Sequence, residues 1–189
     1  CDMKIAIIGA GNMGGAIARG LAKGTIVKTE DICVSNPSSS KLEALKDEFP
    51  AMHITHSNVE AVQEADMVVL AVKPWYIEQV VKELPLDAEK QMLVSVAAGI
   101  SFEQFESWVG NNMTVFRVIP NTAISQLESM TLIASHHASK EQEQLLLDIF
   151  NEMGLAMLIP EKQMAATTAL TSCGIAYVLK YIQAAMQAG

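Results

Sequence analysis

The chain has 189 residues, half of them apolar, and a formal net charge of −8, enough to bury one good core and the start of a second, smaller unit. That charge argues against a nucleic-acid groove or an anionic membrane surface, because either needs a basic patch that the sequence does not supply. A small-molecule ligand fits better. Cys1, Cys33 and Cys173 are odd in number, far apart and without a C-x-x-C pair, so neither a disulfide framework nor a zinc site is expected. The first residues run straight into a short apolar segment without the pattern of a secretory leader, and a reducing cytoplasm is the expected compartment. The long uncharged stretch from Gln163 to Leu179 is rich in Ala, Thr and Ser and reads as a buried helix rather than a membrane span.

Lys4 to Ile8 is an apolar run that ends in glycine, and Met13, Ile17 and Leu21 then share one helical face between Asn12 and Ala22. Strand, tight turn and helix follow from that pattern. Asp31 to Ser35 reads as a second strand, with Ser40 as the N-cap of a helix carrying Leu42, Leu45 and Phe49. Further apolar runs at Met67–Val72, Met92–Val96 and Thr114–Val118 lack polar alternation, so both of their faces should be covered. Helical patterns at Val59–Ala65, Trp75–Leu84 and Phe102–Val109 separate these segments, the last with Ser101 as its N-cap. Met130–Ala134, a charged helix over Lys140–Met153, and Leu155–Ile159 continue the alternation. The expected fold is α/β, a doubly wound parallel (Rossmann) sheet over residues 1–160. After Pro160 the remaining charges are Glu161, Lys162 and Lys180, while Ile175, Val178, Leu179, Ile182 and Met186 line one helix face. Residues 161–189 are therefore expected to begin an all-helical second domain, incomplete here, that forms a homodimer or higher oligomer.

The sequence Gly9-Ala10-Gly11-Asn12-Met13-Gly14 places G-x-G-x-x-G between a strand and the helix it opens. The first glycine allows the tight turn, the second lets a pyrophosphate approach, and the third permits close helix–strand packing. Strand two ends in Ser35-Asn36, without the carboxylate that commonly bonds the ribose hydroxyl of NAD; Glu30 and Asp31 lie at its other end. Asn36, Ser38, Ser39 and Lys41 could instead meet a 2′-phosphate, which favours NADP over NAD. Ala71-Val72-Lys73-Pro74, Ala97-Ala98-Gly99 and Pro120-Asn121-Thr122 each follow a strand at the sheet edge where such folds bind ligands. Three loops of small or kinked residues facing one crevice suggest a flat nicotinamide pocket.

The glycine motif, Asn58, Ala71–Pro74, Ser95–Ile100 and Arg117–Thr122 together resemble, in order and spacing, the successive signature segments of pyrroline-5-carboxylate reductases. The resemblance implies hydride transfer from NADPH to the C=N carbon of 1-pyrroline-5-carboxylate, a small cyclic imine, giving L-proline. It also implies that Gly9 to Gly14 hold the pyrophosphate, and that Ser35, Asn36 and Asn58 hold the adenosine ribose and its phosphate. Ala71 to Pro74 and Ala97 to Gly99 would line the path to the nicotinamide. Asn121, Thr122, Cys173 and Gly174 would lie next to the substrate. Two departures stand out: the family's Ser-Gly-Ser-Gly-Pro-Ala-Tyr loop is Thr171-Ser172-Cys173-Gly174-Ile175-Ala176-Tyr177 here, and its glycine- and threonine-rich carboxylate loop is absent, expected beyond Gly189.

No catalytic acid or base is singled out, because a protonated imine is already electrophilic and chiefly needs positioning. Cys173 has no histidine placed to activate it and reads as structural. His136 and His137 have no carboxylate or cysteine at ligand spacing, so no metal site is expected. Two other functions fit the pattern less well. A β-hydroxyacid dehydrogenase resembles a pattern with a catalytic lysine four residues after a glycine, where this chain has Val178. An NADP-binding protein without reductase activity would account for the altered 171–177 loop.

Overall fold

The computed structural model describes residues 3–170 and 184–186. Its sheet has eight strands in the order β3-β2-β1-β4-β5-β6-β7-β8: β1 Ile5–Ile8, β2 Ile32–Ser35, β3 His53–Thr55, β4 Met67–Leu70, β5 Met92–Ser95, β6 Thr114–Ile119, β7 Ser129–His136 and β8 Gly154–Leu158. Strands β1 to β6 run parallel, in the order of a doubly wound nucleotide-binding sheet.

Alternate residues of the central strands feed two separate cores, which is why these strands read as unbroken apolar runs. One core takes Ile5, Ile7, Val69, Val94 and Phe116 against α1 (Asn12–Lys23), α2 (Ser39–Glu48) and α6 (Lys140–Asn151). The other takes Ala6, Ile8, Leu70, Leu93 and Val115 against α3 (Asn58–Val62), α4 (Pro74–Glu83) and α5 (Phe102–Val109). Met164, in the short helix α7 (Met164–Thr168), joins this second core.

Several boundaries differ from the sequence reading. The N-cap of α2 is Ser38, not Ser40, and its side chain bonds no helix N–H; in a run of three serines, composition does not say which residue takes extended backbone. Pro74 is the first residue of α4, where a missing N–H costs nothing, rather than a kink ahead of the helix. Strand β3 was not anticipated: it has three residues, none of them buried.

The largest difference is direction. Strand β7 pairs antiparallel with β6, and β8 parallel with β7, so the last two strands run against the rest. The connection between β6 and β7 holds one 3-10 turn, Thr122–Gln126, while a parallel crossover needs about a dozen residues or more, usually a helix. At the sheet's edge, β8 leaves Leu155, Met157 and Leu158 exposed, so its two faces are not both covered.

Helix starts are well specified where the sequence supplies reciprocal caps. Ser101 with Gln104, and Ser139 with Gln142, form complete capping boxes at α5 and α6. The segment after Pro160 is fastened by Glu161, whose carboxylate accepts from Arg117 Nη1 at 2.8 Å and from the Phe102 amide at 2.8 Å. Among the described residues, no helix is long and apolar enough to cross a membrane.

Glu143 accepts from Ser135 Oγ at 2.6 Å and Lys140 Nζ at 2.9 Å, and these bonds hold its carboxyl below the ordinary value. Glu48, bonded by Arg19, is lowered in the same way. A carboxyl depressed by folding contributes stability above its unfolded value, about 4.3, and that stability is lost as pH falls through the folded value. We expect the melting temperature to fall on acidification below that range, and Glu143→Gln to flatten part of the fall; an unchanged pH profile in the variant would contradict the assignment.

Candidate functional site

Strands β1, β2, β4 and β5 end at one level, with Ile8 paired to Ser35 and Leu70, and Leu70 to Ser95. The chain leaves β1 through Gly9, whose φ of +103° is left to glycine. Its N–H donates to the Ser35 carbonyl at 2.8 Å, and the Ala71 N–H donates to the Ile8 carbonyl at 2.9 Å. The three loops are thus drawn together by backbone bonds.

The glycines of the motif differ in what limits them. A Cβ on Gly14 would lie 1.9 Å from the Gly9 carbonyl oxygen, so α1 meets the turn with no space to spare. A Cβ on Gly11 would meet nothing within 4 Å. Gly11 therefore lies under open space, at the N-cap of α1, and the first intrahelical bond is Gly15 N–H to its carbonyl at 2.8 Å. The N–H groups of Asn12, Met13 and Gly14 precede any intrahelical acceptor, and the first turn of α1 has no acidic residue. With the helix dipole, this end of α1 is suited to an anion.

A cavity of about 640 Å³ opens above it, bounded by Gly9, Gly11 to Met13, Asn36, Pro37, Lys41, Ala71 to Pro74, Tyr76 and Val96 to Ala98. Most residues singled out in the sequence meet here. Ala10 faces a neighbouring cavity between α1 and α2 instead. Ser35 is fully buried and donates through Oγ to Asn58 Oδ1 at 2.6 Å, fixing the start of α3 to the end of β2. Gly99, at φ +81°, turns the backbone beyond the cavity lining. Asn121 is buried, its Oδ1 accepting from the Ala123 N–H at 3.1 Å, so its side chain is engaged with its own turn. Cys173 and Gly174, with the rest of the 171–177 loop, lie outside the described residues, as do Ile175, Val178, Leu179 and Ile182 of the helix face.

At the end of β2, Asn36 Oδ1 accepts from the Ala10 N–H at 3.0 Å, while its Nδ2 donates to the Ser38 carbonyl at 3.2 Å. His56 stands beside it, with Nδ1 2.9 Å from the Asn36 carbonyl and Nε2 3.4 Å from Ser39 Oγ. Sequence reading passed over His56 and Tyr76; neither belongs to a motif, and parallel strand pairing alone brings His56 alongside Asn36. Glu30 and Asp31 border a different cavity, of about 330 Å³, at the amino edge of the sheet with Glu60 and Glu64. Four carboxylates there disfavour a pyrophosphate.

His136 and His137 do meet a carboxylate, from a distant part of the chain. Glu106 Oε1 lies 2.7 Å from His136 Nε2 and 3.2 Å from His137 Nε2, and the bonds to His136 and His137 hold its carboxyl below the ordinary value.

Residues 4–99 match the family described as NADP oxidoreductase, coenzyme F420-dependent. The chain is 37 % identical to a pyrroline-5-carboxylate reductase of Pseudomonas aeruginosa over 98 % of its own length and 68 % of the relative's. It spans 36 % of a curated relative from Dictyostelium discoideum and 64 % of one from Danio rerio. A solved pyrroline-5-carboxylate reductase from Coxiella burnetii superposes with a TM-score of 0.93 at 33 % identity, covering 100 % of this chain and 70 % of that one. The Plasmodium falciparum pyrroline carboxylate reductase, solved with NADP bound, gives 0.85 at 29 % identity, covering 99 % and 69 %.

The two glycines predict opposite failures. Gly11→Val should fold with a near-normal melting temperature yet lose dinucleotide binding in a fluorescence titration. Gly14→Ala should lose stability: helix propensity gains up to about 1 kcal/mol, but overlap with a backbone oxygen costs roughly 1–3 kcal/mol or more. Unchanged cofactor affinity in a folded Gly11→Val would remove the motif from the site.

Proposed function

The chain belongs to the pyrroline-5-carboxylate reductase family, and we propose that it forms the cofactor-binding part of an enzyme that reduces 1-pyrroline-5-carboxylate to L-proline with NADPH. The observation that carries this reading is the open space over Gly11, at the start of α1, inside a cavity lined by the segments that resemble the family. The residues present fit a dinucleotide: a bare backbone cradle, unbonded N–H groups and a largely apolar cleft beside them.

In this proposal, Gly9, Gly11, Asn12, Met13 and Gly14 hold the pyrophosphate, and Ala10 ties the turn to Asn36 through its N–H. Ser35, Asn36 and Asn58 shape the ribose end, with Lys41 supplying positive charge to a 2′-phosphate. Ala71, Val72, Lys73 and Pro74 face Ala97 and Ala98 across the path to the nicotinamide, and Gly99 turns the chain behind them. When bound, the cofactor supplies the hydride; the chain's own contribution is to orient the ring and keep water from it with Val72, Val96 and the small side chains around them. Asn121 fixes the turn after β6, and the family resemblance assigns Thr122, Cys173 and Gly174 a role next to the substrate.

Residues 1–160 would form the nucleotide-binding domain, and 161–189 the first segment of a helical domain through which copies assemble. The exposed Leu170 and Met186 support that assembly, since each leaves a large apolar side chain to be covered. The cytoplasm is the compartment that fits a reductase drawing on NADPH.

The test is NADPH oxidation with 1-pyrroline-5-carboxylate by the natural protein containing this chain, with NADPH binding titrated in parallel. Turnover is expected; cofactor binding without turnover would favour an NADP-binding protein without reductase activity. Lys41→Ala should weaken NADPH about tenfold, the worth of one charge-assisted bond, and leave NADH nearly unchanged. Equal loss for both cofactors would displace Lys41 from the 2′-phosphate.

A further inference from the structure

His136 closes β7 and His137 follows it. Consecutive residues of a regular strand point to opposite faces, so adjacent histidines there cannot share a ligand. His137 departs from that alternation with a φ of 56°, a left-handed conformation that non-glycine residues adopt uncommonly. Thr114 Oγ1 holds it there, donating to the His137 carbonyl at 2.9 Å. The two rings consequently lie on one side, their centroids 4.0 Å apart, and both Nε2 atoms converge on one oxygen of Glu106.

Each donor is fixed by something else. Glu106 rides on α5, whose start is set by its capping box and whose Phe105 is fully buried. Phe102, on the same helix, stacks on His136 with centroids 5.0 Å apart and an interplanar angle of 16°. One side remains open, since the three side chains keep 28 %, 46 % and 32 % of their surface.

We propose that Glu106, His136 and His137 form a binding site for a divalent transition-metal ion of the Zn²⁺ class, with solvent completing its coordination. Two imidazoles and a carboxylate match zinc's N and O donors and not the all-oxygen shells of Mg²⁺ or Ca²⁺. The three donor atoms lie within 4.8 Å of one another. Bonds of about 2.0–2.1 Å in a tetrahedron set ligands roughly 3.3 Å apart, close to the 2.7 Å and 3.2 Å at which Glu106 Oε1 stands from the two Nε2 atoms. His136 pairs with Val115, near the amino end of β6, whereas the dinucleotide cleft opens at the carboxyl ends. The ion therefore fastens α5 to the reversed strand β7 rather than taking part in hydride transfer, and it stabilises the folded chain by binding it.

The experiment titrates chelator-treated protein with Zn²⁺ by calorimetry, beside Glu106→Gln and His137→Asn; asparagine tolerates the left-handed backbone. One ion per chain is expected, with a rise in melting temperature, and at least a roughly tenfold loss of affinity in each variant. X-ray absorption on the zinc-loaded wild type gives an answer that does not depend on the variants folding: two imidazoles at about 2.0–2.1 Å are expected. Absence of saturable binding would overturn the proposal, as would affinity unchanged by both substitutions, or sulfur in the coordination shell, which would place the ion at a cysteine instead.

Discussion

Gly14 packs so tightly on the Gly9 carbonyl that one added carbon would overlap it, and the course of α1 away from β1 follows from that contact. Because the helix starts directly against the strand end, its free N–H groups face the cleft instead of being spent on a longer loop. The same turn is bonded to β2 through Gly9 N–H and Ser35, and lies against β4 at Ala71. Anion-binding capacity, the meeting of loops and the sheet's switch in strand order therefore share one origin.

The reversed strands extend this frame in another direction. A short turn after β6 sends β7 back along it, so the end of β7 reaches the amino edge of the parallel strands, beside the middle of α5. That reversal brings His136 and His137 to Glu106. Glu161, bonded to Arg117 and to the start of α5, fastens the segment after Pro160 onto the same face. The two sites thus lie at opposite edges of one sheet, joined by α5 and its neighbours in a single core.

Much of this was legible in the residues, for identifiable reasons. Strands covered on both faces announce themselves as apolar runs, as Met67 to Leu70 does, and Ser101 with Gln104 marks a helix start to the residue. The glycine motif carried its geometry with it, because each glycine answers to a different steric demand. The direction of β7 was present but unread: the connection after β6 is too short for a crossover helix. Strand β3, half exposed and three residues long, offered no pattern. His56 beside Asn36, and Glu106 beside the two histidines, arise from strand pairing and helix placement, which no local spacing reports.

The account rests most directly on the start of α1 as the seat of the pyrophosphate. Addition of NADPH to isotopically labelled protein, followed by amide NMR, tests this position residue by residue. The account predicts that the largest shifts fall on the amides of Gly11, Asn12 and Met13, with smaller ones along Ala71 to Lys73 and Val96 to Ala98. Shifts concentrated around Glu30, Asp31 and His53 at the opposite edge, with the α1 amides unmoved, would contradict it.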